Sequence, residues 1–313
     1  MKKYFSMLLT ILFILMFIGY LLHNPDLILN LQKIDPIYLV IVGTAQLVII
    51  FSNGLFTRIA LQLFNKKIGY SEAFYISLIS TIGNYFTPFR GGAGVRAIYL
   101  KKRLGFSYSH FISTLSGYYI ITFFINSLIG LSALVYISAK DGQIPYLVIF
   151  FFTIVFALTS FLIIFSPPSR LLRTISVKNV VLLRIRSILI NTLEGWKLII
   201  GNFRILLKLI FIASATYIAV MVIAATASIS LDLHLSFVQL AFYAALGNMT
   251  LLISITPGSI GIKESVYILT SEIINLTNEN ILQIALIDRG TLFVVIGGVY
   301  LLYLVKNIKN SIE

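Results

Sequence analysis

The stretch Asn84–Lys101 reads N-Y-F-T-P-F-R-G-G-A-G-V-R-A-I-Y-L-K and interrupts a chain that is apolar on either side of it. Thr87-Pro88 predicts the end of a helical arm, because proline removes a backbone donor and clashes with the preceding turn. Gly91, Gly92 and Gly94 are expected to let the chain reverse and to let a ligand approach the backbone. Val95–Leu100 can then start a short helix. Free amides and the positive dipole end at such a start favour an anion, phosphate in particular. Arg90 and Arg96 flank that point, and guanidinium groups pair bidentately with phosphate oxygens. A second interruption, Thr256–Leu269, reads T-P-G-S-I-G-I-K-E-S-V-Y-I-L. Both run Thr-Pro, then Gly-x-x-Gly, then Val/Ile, then Arg/Lys, with two extra residues between the halves of the first copy. That spacing sets Gly91 against Gly258, Gly94 against Gly261 and Arg96 against Lys263.

Composition places these breaks in a membrane. Of 313 residues, 58% are hydrophobic and 11% charged, and mean hydropathy is +0.97. A soluble chain of this size needs a polar half that this one lacks. The class is therefore an all-α polytopic integral membrane protein. With no cysteine, disulfides, zinc thiolates and thiol nucleophiles are excluded. His23, His110 and His234 lie far apart, so no metal and no cofactor is expected. A net charge of +13 could fit nucleic acid, but basic residues bordering apolar runs point to an anionic membrane surface instead.

Six apolar runs predict full spans: Tyr4–Leu22, Pro36–Phe56, Tyr108–Ile137, Pro145–Phe165, Arg204–Ser230 and Ile281–Val305. Lys2-Lys3 before the first resembles a signal peptide, but a cleavage site is missing and the run is expected to be retained. Ser169–Asn202 mixes basic and apolar residues around Trp196 and predicts a basic amphipathic cytoplasmic connector on the membrane. If Ser71–Leu100 is a re-entrant hairpin from the inner face and Leu235–Glu272 one from the outer face, 18 of the 24 Lys and Arg fall in the cytoplasm, as the positive-inside rule requires. Eight crossings remain the alternative, because Leu235–Thr256 is long enough to span. In the hairpin arrangement 36–137 and 204–305 form two repeats of opposite orientation, with broken helices meeting near the midplane as in secondary transporters. The N- and C-termini are then cytoplasmic and the location is the cell membrane.

Structural alternatives stand beside each functional assignment. Glycine and proline in membrane helices also serve kinks and close packing. Arg90 and Arg96 could snorkel to the interface. Lys263, Glu264, Asp288 and Arg289 could be a self-satisfied set of ion pairs.

The first motif, Asn84-x3-Pro88-x-Arg90-x-Gly92-x3-Arg96-x2-Tyr99-Leu100, and the later Pro257-Gly258-x2-Gly261-x2-Glu264 resemble the lysylphosphatidylglycerol synthase transmembrane region family. The resemblance covers nearly the whole chain. It implies handling of anionic or polyprenyl-linked lipids, with translocation the usual proposal. It maps Asn84, Pro88, Arg90, Gly92 and Arg96 to the first motif and Pro257, Gly258, Gly261 and Glu264 to the second. Two departures accompany it. No aminoacyl-transferase domain follows Glu313, so lysine transfer is not expected, and Ser116-Gly117-Tyr118 stands where many members carry charge.

The expected function is a flippase-like lipid translocase or lipid-binding transporter. Asn84, Pro88, Arg90, Gly91, Gly92, Gly94 and Arg96 would hold the head-group phosphate. Pro257, Gly258, Gly261, Lys263, Glu264, Asp288 and Arg289 would form a gate or coupling site. No catalytic constellation is evident: there is no D-x-D and no Walker A sequence. A membrane-embedded transferase acting on a lipid-linked sugar and a non-catalytic scaffold presenting lipid are the alternatives. Partners would be anionic membrane lipids and a lipid-modifying enzyme or glycosyltransferase, with no nucleic acid. Because the chain has no native thiol, single cysteines test the threading directly. Cysteines at Lys101 and Asn280 are expected to react with impermeant maleimide from opposite sides of sealed vesicles; labelling from one side sinks the paired hairpins.

Overall fold

The computed structural model describes residues 34–142, 145–165 and 179–312. The expected span Tyr4–Leu22 and residues Arg170, Arg173 and Lys178 of the connector lie outside the described residues. In chain order the helices are α1 (Pro36–Gln62), α2 (Tyr70–Phe86), α3 (Gly92–Leu104), α4 (Tyr108–Asp141), α5 (Tyr146–Phe165), α6 (Val180–Ile200), α7 (Phe203–Ile229), α8 (Phe237–Met249), α9 (Ile262–Leu269), α10 (Ser271–Ile274) and α11 (Asn278–Ile312). Among the described residues no strand occurs, and α1, α4, α5, α7 and α11 are long and apolar enough to cross a membrane.

Local chemistry sets the ends. The Asp35 carboxylate accepts from the Ile37 amide (2.9 Å) while Pro36 occupies the first helical position, where a missing N–H costs nothing. Ser107 caps α4 by accepting from His110 (3.2 Å), and Asn202 caps α7 by accepting from Ile205 (3.2 Å). Ser236 and Gln239 form a reciprocal capping box at α8. Left-handed Gly105 and Gly142 close α3 and α4.

Helix α2 has 17 residues and α3 and α8 have 13 each, so they reach only about 20–25 Å against a hydrocarbon core of about 30 Å. They belong to folded-back hairpins. In the first, Glu72 at the start of α2 accepts from the Tyr99 hydroxyl (2.9 Å) and lies 3.8 Å from Arg103, both near the end of α3. Lys66 donates to the Leu104 carbonyl, so the hairpin opens beside the C-terminal end of α1. Leu61, Ile68, Ala73, Leu100 and Phe106 share a buried cluster there. In the second, the Gln239 amide donates to the Ile274 carbonyl (3.2 Å), joining the start of α8 to α10. Ile274, Leu276 and Ile281 are buried with Ile34, at the other end of α1. The two elbows meet inside the bundle: the turn Pro88–Arg90 packs on the turn Pro257–Ser259, and the Phe89 amide donates to the Ile255 carbonyl (3.1 Å).

The elbows share a backbone path. Thr87 and Thr256 are extended, a proline follows each, and the next two residues have positive φ: Phe89 (54°) and Arg90 (53°) in the first, Gly258 (59°) and Ser259 (55°) in the second. This corrects the glycine assignment in two ways. The reversal at the first elbow is made by Phe89 and Arg90, while Gly91 is ordinary right-handed helix. Gly258 is the counterpart of Phe89, not of Gly91. The first glycines serve close approach instead. A Cβ on Gly92 would overlap the Ser80 carbonyl oxygen and sit 2.7 Å from the Asn84 amide, whereas one on Gly94 would meet nothing within 4 Å. Helix α3 also starts at Gly92, three residues before the expected Val95.

Half of the basic connector is engaged with the bundle. In α6 a Cβ on Gly195 would overlap the Ser113 carbonyl of α4, and one on Gly117 would meet Ile199 at 2.7 Å. Trp196 and Ile199 are buried. Small residues that let backbones approach are the usual means of helix association in membranes, and Gly117 is here one of them. Gly92→Ala is therefore expected to destabilise by roughly 1–3 kcal/mol through overpacking, with Gly94→Ala near neutral. Thermal unfolding in detergent reads the difference; equal midpoints would refute the close approach.

Candidate functional site

The first elbow carries two cations. Arg96, in the second turn of α3, is buried. Its Nη1 donates to the Thr57 hydroxyl (3.0 Å) and the Asn53 carbonyl (3.4 Å) on α1, and its Nη2 donates to the Ser80 hydroxyl (3.1 Å) on α2. Its Nε has no partner among the described residues. Arg90, half-buried on the elbow, donates to the Tyr119 hydroxyl (3.2 Å) of α4. Among the described residues neither arginine lies within 4 Å of a carboxylate. A buried charge without a counter-charge is costly in protein and costlier in lipid, so this end of the site is short of negative charge.

The second elbow is the opposite case. The Glu264 carboxylate accepts from the Gly261 amide (2.8 Å) through one oxygen and from Arg289 Nε and Nη2 (2.9 and 2.5 Å) through the other. Arg289 also donates to the Gly258 carbonyl (3.1 Å). Lys263 pairs with Asp288 at 3.1 Å, and Asp288 further accepts from the Gln46 amide (3.0 Å). Two positive and two negative groups cancel, and each carboxylate oxygen has a donor. The arrangement ties α9 to α11 and holds Gly258 in its left-handed conformation. All four charged residues expected to act together are brought together, in crossed pairs that the sequence did not specify.

Two cavities adjoin between the elbows. One of about 160 Å³ is lined by Arg90, Arg96, Ser80, Asn84, Tyr118 and Tyr119, among others. Ala93 borders it, so the first turn of α3 faces the space. The other, about 230 Å³, reaches Lys263, Asp288, Gln46, Tyr85 and Gly258. Asn53, Asn84, Arg90 and Asn248 line both, so Arg90 stands at their junction. Of the expected residues, Asn84, Arg90 and Arg96 border the space on one side and Gly258, Lys263 and Asp288 on the other. Pro88, Gly91, Gly92 and Gly94 shape the first elbow without lining either cavity, and Pro257, Gly261, Glu264 and Arg289 shape the second.

Sequence reasoning missed Gln46, Asn53, Thr57, Ser80, Tyr119 and Asn248. A signal existed for the first three: Gln46, Asn53 and Thr57 are spaced seven and four residues apart in an otherwise apolar helix, which puts them on one face. The Asn248 side-chain amide donates to Asn126 Oδ1 (2.9 Å), and Asn126 Nδ2 in turn donates to the Thr122 backbone carbonyl (2.7 Å), fixing α8 to α4 beside the cavity.

Broken helical hairpins meeting around a polar space inside an apolar bundle define a polytopic membrane protein with an internal cavity. The chain belongs to the lysylphosphatidylglycerol synthase TM region family, matched over residues 7–299. The family points to a membrane lipid-related function. No curated protein and no solved structure matches the chain.

Removing one member of the inner pair should expose the cost of the other. Glu264→Ala leaves Arg289 uncompensated and is expected to destabilise by about 3–5 kcal/mol, with Glu264→Ala/Arg289→Ala recovering part of the loss. Thermal melts of the purified variants provide the measurement; additive losses would rule out the pairing.

Proposed function

We propose that the protein is a flippase-like lipid translocase or lipid-binding transporter whose site holds the phosphate of an anionic or polyprenyl-phosphate-linked lipid. The observation that carries this is the contrast between the elbows: Glu264 and Asp288 neutralise Arg289 and Lys263, while Arg90 and Arg96 share a smaller cavity whose lining, among the described residues, has no carboxylate. A phosphate there supplies the missing charge, meets guanidinium groups suited to its oxygens, and lies against the first turn of α3. Such an occupant must come from the membrane, since the cavity lies among spanning helices.

The pattern of packing supports an inverted repeat of 36–137 and 204–305. Helix α1 packs on α7, α4 on α8 and α2 on α11, and the hairpins open at opposite ends of α1. Each contact has its counterpart on exchanging α1 with α7, α2 with α8 and α4 with α11. In this proposal the first hairpin enters from the cytoplasm, the termini are cytoplasmic, the protein resides in the cell membrane, and α6 connects the repeats on the inner side. The paired elbow serves as the gate or coupling point, because Arg289 and Lys263 hold it closed on α11. A lipid-modifying enzyme or glycosyltransferase would use the delivered lipid.

Reconstitution in liposomes with a labelled anionic lipid, its outer leaflet quenched chemically, measures movement between leaflets. Wild-type protein is expected to accelerate it. Arg90→Gln and Arg96→Ala should each lower the rate about tenfold or more, the equivalent of losing a charged hydrogen bond, while remaining folded by circular dichroism. Binding without movement would favour the lipid-presenting scaffold. Product formed from a sugar donor would favour the transferase.

A further inference from the structure

The two cavities correspond to one another under the inverted repeat proposed above. Helix α7 begins 167 residues after α1 and α8 167 after α2, while α9 begins 170 after α3 and α11 170 after α4. The three added residues fall between α8 and α9. On that count Asn53 matches Val220, Thr81 matches Asn248 and Asn84 matches Leu251, and all six line both cavities. Residues that line only the smaller cavity match residues that line only the larger one: Phe56 with Ile223, Ser80 with Gly247 and Thr122 with Leu292. Charge breaks the match. Gln46, Lys263, Glu264, Asp288 and Arg289 hold the second elbow on α1 and α11, whereas their counterparts Ala213, Ala93, Gly94, Tyr118 and Tyr119 are uncharged. Four of these counterparts, Ala93, Tyr118, Tyr119 and Ala213, line the smaller cavity. That cavity occupies the place where a second latch would stand.

We infer that a latch present in one half only decides which half moves: the second hairpin rests clamped on α11, and the first hairpin swings from α4 to open the smaller cavity. This rests on the inverted-repeat reading and is independent of what the cavities bind. At its elbow the first hairpin is joined to α4 by a hydrogen bond to a neutral acceptor, Arg90 to Tyr119 (3.2 Å). Both residues line the cavity, so water entering there replaces that bond at modest cost. At the matching place in the second half, Lys263 would have to leave Asp288 and Glu264 would have to leave Arg289. Four charges would then stand uncompensated inside the bundle, which is costly in protein and in lipid. Arg96 does not oppose the motion of the first hairpin. Its acceptors lie on α1 and α2, not on α4, so the hairpin stays on α1 while it leaves α4. Two fully matched halves would open with equal ease; a contact made in one state and lost in the other is what biases such an equilibrium.

Single cysteines at the matched positions Thr122 and Leu292 report the opening of each cavity, since the chain has no native thiol. The full chain in lipid nanodiscs is treated with a small water-soluble methanethiosulfonate, and the modification rate is followed by mass spectrometry. Thr122→Cys is expected to react about tenfold or more faster than Leu292→Cys, the excess of parting two ion pairs over parting one hydrogen bond. Neutralising the latch with Lys263→Gln/Glu264→Gln/Asp288→Asn/Arg289→Gln should bring the two rates together. Independently, Ala93→Lys/Tyr118→Asp places a copy of the Lys263–Asp288 pair in the smaller cavity and should slow Thr122→Cys by a similar factor. Equal rates without these changes, or a faster Leu292→Cys, overturn the inference. So does a Leu292→Cys rate that ignores the loss of the latch, and so does a Thr122→Cys rate that ignores the added pair. Labelling of Lys101→Cys and Asn280→Cys from one side of sealed vesicles would instead remove the repeat itself.

Discussion

Arg96 is buried with three hydrogen bonds and, among the described residues, no counter-charge, and much of the molecule exists to hold it there. Its acceptors come from α1 and α2, while its own helix begins at the elbow. That places the guanidinium only if α3 lies directly on α2. The contact is possible because Gly92 brings backbone against the Ser80 carbonyl. A hairpin this tight in turn depends on Thr87-Pro88 to end α2 and on two positive-φ residues to reverse the chain. Phe89 and Arg90 lack the freedom of glycine, and such conformations persist where the surroundings over-determine them, typically at ligand sites.

The second elbow shows what the first would look like if its charges served only the fold. Glu264 closes its own helix start and clamps Arg289, which reaches the carbonyl of Gly258. Lys263, Asp288 and Gln46 extend the clamp to α1. Irregular backbone inside a membrane protein must find partners in protein or water, since lipid offers none, and here protein supplies them. Two elbows with the same backbone path, both bordering cavities, therefore differ in electrostatics: one is neutral and latched, the other cationic. Their contact, Phe89 to Ile255 and turn to turn, puts the latch within reach of whatever occupies the cationic side.

Much of the architecture was legible in the sequence because its determinants are local or compositional. Long apolar runs require helices, and the observed α1, α4, α5, α7 and α11 contain or closely follow the expected spans. Thr-Pro ends the first arm at Phe86, since proline acts on the turn that precedes it, whereas α8 already ends at Met249, eight residues before Pro257. The same locality put Asn84, Arg90 and Arg96 beside a common space, being brought together by a single turn. Reading Gly-x-x-Gly as the repeated unit went astray because glycine has two uses, left-handed backbone and close approach, and spacing does not separate them. The elbows superpose through backbone angles, with Phe89 opposite Gly258.

By itself the sequence determined that this chain is a bundle of membrane helices broken twice, because hydropathy and proline act without regard to distant neighbours. Only the tertiary structure decided which charges cancel, since Glu264 meets Arg289 and Lys263 meets Asp288 across 25 residues of chain. Only it, too, gathered Gln46, Asn53, Asn84 and Asn248 around one cavity. A single polar residue in an apolar helix has no partner in its own segment, so its role is set by the helix that folding lays against it.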